Sequence, residues 1–298
     1  MDIFYVLLFI FAPGYGKLNA NPLIMTKCHL TALLALLIIT GCKPDKGPSL
    51  SEMGSRSNAS RQSQFEQYIV DLHFVPLEEA LARQDSLLNA SKTDSLEWVT
   101  VTALEEKYLL DPNSPYRNEE LYLPVASQMA SCPLTSESQR ERAIWLLPFL
   151  SLNRIGTPAS DFSYITPTGR SRTLYQTIDA RNPAPRRTLL FFSNPGCPNC
   201  KEITESLSSD PAIAERIKSG ELLVVNIYPD EDVQAWLDYL PNYPSEWVCG
   251  YDPDQVLKSD TIYWLRAIPS LYLLDGDKNV ILKDATLQVL MATLRTSF

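Results

Sequence analysis

The stretch Leu189–Glu202, reading LLFFSNPGCPNCKE, constrains the fold more than any other part of the chain. An apolar run of Leu and Phe reads as a strand and stops at the turn residues Ser193, Asn194, Pro195 and Gly196. A helix-like segment then begins at Cys197, with Cys200 three residues further on. Thiols at i and i+3 on a first helical turn can reach one another. The first also sits where unpaired backbone N–H groups and the helix dipole stabilise a thiolate. A nucleophilic sulfur with a second thiol placed to resolve it is the apparatus of thiol–disulfide exchange, and the stretch predicts that chemistry.

The rest of the composition narrows the choice. A chain of 298 residues suits about two domains. With 45% apolar and 20% charged residues it is ordinary globular material. A formal net charge of −9 and the lack of a basic cluster argue against a nucleic-acid partner. The two histidines are His29 and His73, and His29 falls in a segment expected to be removed. A Ser–His–Asp triad or a multi-histidine metal site is therefore nearly excluded. A four-cysteine zinc site would need a second close pair, whereas Cys132 and Cys249 are single; no metal and no cofactor is expected.

Leu30–Ile39, LTALLALLII, is too short to span a bilayer, which needs roughly 20 residues. Lys27 precedes it, and Thr40, Gly41 and Cys42 follow, the order of a secretory signal. The tail Ile38–Cys42, IITGC, resembles the lipobox of bacterial lipoproteins. That resemblance implies lipidation of Cys42 and cleavage before it, so that Cys42, the last residue of the signal and lipobox stretch 1–42, becomes the mature N-terminus. More than one acyl chain gives stable anchoring. An earlier apolar run, Ile3–Ala12, is broken by Pro13 and Gly14, so Met25 is the expected true start. Residues 43–62, rich in Ser, Pro and Gly, read as a flexible tether. The expected location is the periplasmic side of a bacterial membrane, with the outer membrane favoured.

From 63 to 155 the punctuation is helical. Leu77, Leu81, Leu87 and Leu88 share a face after Pro76, at a plausible first helical position. Asp94 with Glu97 reads as a helix start, Ser114–Pro115 as another, and Ser136 with Gln139 as a capping box. Four or five short helices should form a small bundle. His73, in an apolar stretch, reads as a hydrogen-bonded structural side chain. Cys132 reads as a buried thiol, with half of a disulfide as the alternative.

Residues 156–298 read as a second, α/β domain. Asp161–Tyr164 and Leu174–Tyr175 are expected as strands around Pro167–Gly169, followed by the strand Thr188–Phe192 and a helix from Cys197 to about Ser208. Asp210–Pro211 and Asp252–Pro253 each pair a cap with a first-turn proline, the latter ahead of Val256–Leu265. Leu222–Tyr228, LLVVNIY, has the continuous apolar character of a buried parallel strand. Asp230 should start the helix carrying Trp236. Ser270–Leu274 should turn through Asp275–Gly276–Asp277 into Val280–Lys283, before a last helix over Leu287–Leu294. The sum is a mixed sheet flanked by helices.

With these pieces in place the second domain resembles the thioredoxin-like superfamily, nearest to membrane-tethered TlpA- and ResA-like members. The resemblance rests on FFSNPGCPNCKE at Phe191–Glu202, AIPSLYLLDGDKNV at Ala267–Val280 and DFSYITPTGR at Asp161–Arg170. The helical region is similar to an uncharacterised domain that precedes such modules in some anaerobes' lipoproteins. The resemblance implies a thioredoxin-like fold after a small all-α domain, and a lipid-anchored thiol–disulfide oxidoreductase acting on protein disulfides. It makes Cys197 the attacking thiolate and Cys200 the buried resolving thiol. Pro269 takes the place of the family's cis-proline, and Ile268 offers backbone groups to an extended substrate. Gly196 stands where such sites usually place tryptophan, so an aromatic substrate contact is missing. The strand Thr188–Phe192 carries no acid to take the Cys200 proton. Partners implied are proteins with disulfides or thiols and a redox partner protein. Cys249 reads as a core thiol, a bridge to Cys132 being the minor reading. The competing function is a redox-silent binding or scaffold module on the same fold.

Overall fold

The computed structural model describes residues 58–259 and 261–296. The signal-like segment, Cys42 and the tether up to residue 57 lie outside the described residues. The first helix reaches back into the stretch expected as tether: α1 spans Asn58–Leu72 and buries Phe65, Ile69 and Leu72 at helical spacing. α2 (Leu77–Ser91), α3 (Ser95–Glu105), α4 (Glu119–Ser131) and α5 (Glu137–Leu150) complete the bundle, with a π-helical turn over Glu106–Leu110. Their shared core holds Leu88, Trp98, Val101, Leu109, Tyr122 and Leu146.

Caps explain where these helices begin. The Asp94 side chain accepts from Leu96 N at 2.8 Å, and Ser136 with Gln139 closes the expected capping box. Ser114–Pro115 does not open a helix. The Ser114 hydroxyl accepts from Tyr116 N inside a turn, and α4 starts four residues later under Asn118, whose side chain accepts from both Glu120 N and Leu121 N. Pro76 is the cap residue of α2 rather than its first helical residue.

The second half is a seven-stranded mixed sheet. Its strands are β1 (Ser163–Ile165), β2 (Ser171–Thr173), β3 (Arg187–Phe192), β4 (Leu222–Tyr228), β5 (Val248–Tyr251), β6 (Ser270–Asp275) and β7 (Val280–Leu282), in the order β2-β1-β5-β4-β3-β6-β7. β3, β4 and β5 run parallel, and β6 lies antiparallel to β3 with Leu189 opposite Leu273. Side chains alternate between two buried faces, as a central strand requires. Leu190, Phe192, Val225 and Tyr272 fill one face; Leu189, Phe191, Val224 and Leu271 fill the other. Gly250 on β5 is demanded by packing, because a Cβ there would run into the ring of Tyr164.

Helices α6 (Leu174–Asp179), α7 (Pro198–Ser209), α8 (Pro211–Lys218), α9 (Val233–Tyr239), α10 (Val256–Ser259) and α11 (Leu287–Thr296) surround the sheet. Leu174–Tyr175, expected as strand, is the first turn of α6. Thr173 and Gln176 form a capping box there, a helix-start signal that outweighs β-propensity. Asp252–Pro253 is not the cap-and-first-turn pair of α10: the helix starts only at Val256, the Asp252 carboxylate accepts from Leu257 N, five residues on, at 2.9 Å, and α10 ends at Ser259 instead of continuing to Leu265. α9 starts under Asp232, whose side chain accepts from Ala235 N, two residues later than the expected Asp230. Helical region and sheet belong to one compact unit.

Candidate active site

The carboxyl end of β3 delivers the chain into the turn 193–196, where Gly196 has a φ of +71°, a left-handed conformation that glycine adopts without steric cost. Cys197 is then the N-cap of α7, not its first helical residue. Its Sγ accepts from Cys200 N at 3.2 Å, and Pro198 takes the first helical position. The two sulfurs lie near disulfide distance, with Cα atoms 5.2 Å apart. Cys200 is buried at 3% exposure and Cys197 half-buried, so one sulfur can meet a partner while the other stays inside. No acidic side chain lies in the first turn of α7 to oppose a thiolate at Cys197.

The Ile268–Pro269 peptide bond is cis. Ile268 packs against the apolar cluster that contains Cys200 and touches Cys197, which brings the two sequence-distant pieces, FFSNPGCPNCKE and AIPSLYLLDGDKNV, to one place. Gly196 is exposed. The other described cysteines are free thiols: Cys132 is buried in the helical core, and Cys249, on β5, packs against the same apolar cluster as Cys197 and Cys200. Burial pushes the Cys249 thiol up to about 12, against a smaller opposing effect from its hydrogen bond with Asn226. His73 Nδ1 lies 2.9 Å from the Ile69 carbonyl oxygen, in a structural setting.

Several polar residues at this end of the sheet gather into contacts that their local sequence roles, Ser193 and Asn194 in a turn and Asp230 at a helix start, do not imply. Ser193, fully buried, donates to Asn226 Oδ1 at 2.6 Å and lies 2.9 Å from the Tyr243 hydroxyl. Asn226 is laterally paired with Phe191 on β3 and Cys249 on β5, so its amide faces the dithiol side of the sheet. This cluster is uncharged, and Asn226 lies opposite Phe191 on β3, the strand that carries no acid. Asn194 donates to Asp230, which also pairs with Lys258, tying the turn before Cys197 to the end of β4. Asn226 was the one visible signal, a lone amide inside the apolar run LLVVNIY.

Residues 52–153 match a family described as a domain of unknown function, DUF5106. Across most of the chain, the match is to a thioredoxin-like protein from Bacteroides caccae of known crystal structure. It is 37% identical, covers 82% of this chain and 86% of that one, and superposes with a TM-score of 0.73. The chain belongs to the thioredoxin-like proteins. The sheet half of this thioredoxin-like protein also matches the C-terminal domain of an uncharacterized protein from Bacteroides fragilis, 43% identical over 48% of this chain and 98% of that one, with a TM-score of 0.44. A thioredoxin domain of a thiol-disulfide oxidoreductase from Bacteroides vulgatus is 19% identical over 48% and 96% of the two chains, with a TM-score of 0.40. None of the curated proteins matches significantly.

Proposed function

We propose that this thioredoxin-like protein is a thiol–disulfide oxidoreductase acting on protein disulfides. The observation that carries the reading is the Cys197–Cys200 pair itself: an accessible sulfur capping a helix, its partner buried near disulfide distance behind it. In the reduced protein the backbone N–H groups at the mouth of α7 favour the Cys197 thiolate. That thiolate attacks one sulfur of a substrate disulfide, forming a mixed disulfide and releasing the other substrate sulfur as a thiolate. The Cys200 thiol gives up its proton to water and attacks Cys197 Sγ. The S–S bond to the substrate breaks, the second substrate thiolate leaves, and the pair ends as the Cys197–Cys200 disulfide. Two electrons pass to the substrate; a dithiol protein must return them before the next turnover.

The extracytoplasmic setting is part of the proposal. It is supported by the signal-like Leu30–Ile39 and the lipobox-like Ile38–Cys42, which would anchor the chain by lipid at Cys42. Among the described residues no helix is long and apolar enough to cross a membrane.

Trapping tests the reaction directly. A Cys200→Ser variant should accumulate mixed disulfides through Cys197, resolved by dithiothreitol and abolished by Cys197→Ser. If neither purified disulfide proteins such as insulin nor periplasmic extracts yield a Cys197-linked adduct, the redox reading fails and a scaffold role on the same fold takes its place.

A further inference from the structure

Ile268 and Pro269 lie at the end of the segment 261–269, which joins α10 to β6. This segment has no regular structure, yet it is held at several points by the helical region. The Asn153 side chain donates to Ile262 O at 2.8 Å. Trp264 stacks on Phe149 of α5 with ring centroids 5.5 Å apart and packs against the helical core. Arg266, whose side chain is 8% exposed, lies over the Trp264 ring and donates to Leu110 O at the end of the π-helical turn. Its Nε lies 3.1 Å from Glu119 Oε1 at the start of α4.

Around Arg266 the charges form one buried cluster. Glu119, 1% exposed at its side chain, also meets Lys283 Nζ at 2.9 Å, and Lys283 donates to Leu150 O at 2.7 Å. Arg266 Nη2 lies 2.8 Å from Asp284 Oδ2, which Arg117 approaches at 3.5 Å. The other Asp284 oxygen accepts from Ser270 Oγ at 2.8 Å. Asp284 therefore grips the chain on both sides of Ile268–Pro269: Arg266 before it and Ser270 after it. Burying this many charges is expensive and leaves little tolerance for a missing partner.

From this geometry we infer that the helical region is a working part of the redox site: Glu119, Arg266 and Asp284 are positioning residues that hold the Ile268 backbone ready for an extended substrate strand. The inference rests on the proposed oxidoreductase reading. None of the three touches either sulfur. Their effect falls on recognition of a polypeptide, not on the sulfur chemistry. A substrate that offers a backbone to pair with Ile268 needs the segment in place; a small aromatic disulfide does not.

Glu119→Gln in the full mature chain separates these. It keeps the shape of the side chain and removes the charge that faces Arg266 and Lys283. KM for insulin should rise about 3- to 30-fold, the range expected when a coupled contact is weakened, with kcat unchanged. The rate with 5,5′-dithiobis(2-nitrobenzoate) and the reduction potential of the Cys197–Cys200 pair should stay at wild-type values. Hydrogen exchange read by mass spectrometry should speed up across 262–271 and not across 198–209. Ser270→Ala, which removes Asp284's hold from the β6 side alone, should give the same pattern and serves if Glu119→Gln does not fold. Equal losses on insulin and on the small disulfide, or unchanged exchange across 262–271, overturn the inference. Exchange is read without turnover. Faster exchange in a protein whose wild type reduces nothing would therefore sink the oxidoreductase reading while leaving the grip on this segment standing.

Discussion

Glu105 offers a quantitative test of the helical region. It is fully buried at the junction of α3 and the π-helical turn. Its Oε2 accepts from Gln84 Nε2 at 2.6 Å, Gln84 Oε1 accepts from the Tyr68 hydroxyl, and Glu105 Oε1 has no partner. Among the described residues no cation faces the carboxyl, so burial pushes it from 4.5 up to about 8, with only the Gln84 bond opposing. The sign follows from which state holds the proton. Below 4.5 both the folded and unfolded chains are protonated and the residue is neutral for stability. Between 4.5 and about 8 the unfolded chain releases the proton and the folded chain keeps it, so folding stability falls as pH rises. At about 1.36 kcal/mol per pH unit, the whole window is worth about 5 kcal/mol, and about 3 kcal/mol of it is spent by pH 7. Glu105→Gln removes the titration and keeps an oxygen for Gln84. Its own unpaired amide costs about as much as the unpaired acid hydrogen it replaces, so the two proteins should be similarly stable at pH 4.5. The variant should then gain on the wild type steadily to pH 8. Urea denaturation at four pH values reads the difference, from which every other titrating group cancels. Two stability curves that run parallel from pH 5 to 8 would refute the burial argument, whatever their offset.

Two further predictions follow from burial and close packing. Cys249, held at about 12, carries about a thousandfold less thiolate than an ordinary thiol, so iodoacetamide at pH 8 should label Cys197 of the reduced protein long before Cys249, and Cys249 labelling should speed up on unfolding, as peptide mass spectrometry would show. Gly250→Ala forces a methyl against the Tyr164 ring at the β5–β1 pairing and should cost about 1–3 kcal/mol in urea denaturation; an unaltered midpoint would mean that the ring moves aside freely.

The parts of the fold that could be read from the sequence are those governed by neighbours along the chain. Asp94, Ser136 and Asp210 act as caps because a side-chain oxygen two or three residues from a free N–H finds it whatever the tertiary context. The runs Leu189–Phe192 and Leu222–Tyr228 are central strands because both their faces are covered, and a chain that must be apolar at every position says so. The structure departs from the local pattern where two local signals compete. Ser114–Pro115 has helix-start chemistry but is spent on a turn that brings Asn118 into the capping position. Apolar residues from 262 to 265 suggest a helix that continues beyond α10. They serve instead to dock a segment without secondary structure onto the bundle and the sheet, Trp264 against the former and Tyr263 against the latter.

The candidate site divides along the same line. Cys197, Cys200 and Gly196 are legible because the geometry of a dithiol at a helix mouth is written into consecutive residues. What supports the site is not local at all. Glu119 and Arg266 are far apart in the chain and meet across the junction of the bundle and the sheet. Singly, each looks like an ordinary surface charge, since charged residues are seldom buried without a partner and sequence does not name the partner. The same holds for Ser193, Asn226 and Tyr243, three neutral polar groups that become a buried cluster only when β3, β4 and the turn before β5 converge. A lone Asn in an apolar strand could have pointed to that cluster, because an amide buried on a central strand must find hydrogen-bond partners there. Glu119 gave no such hint: its position at the start of α4 suits any acidic residue on dipole grounds, and that local sufficiency hides its second, long-range contact with Arg266.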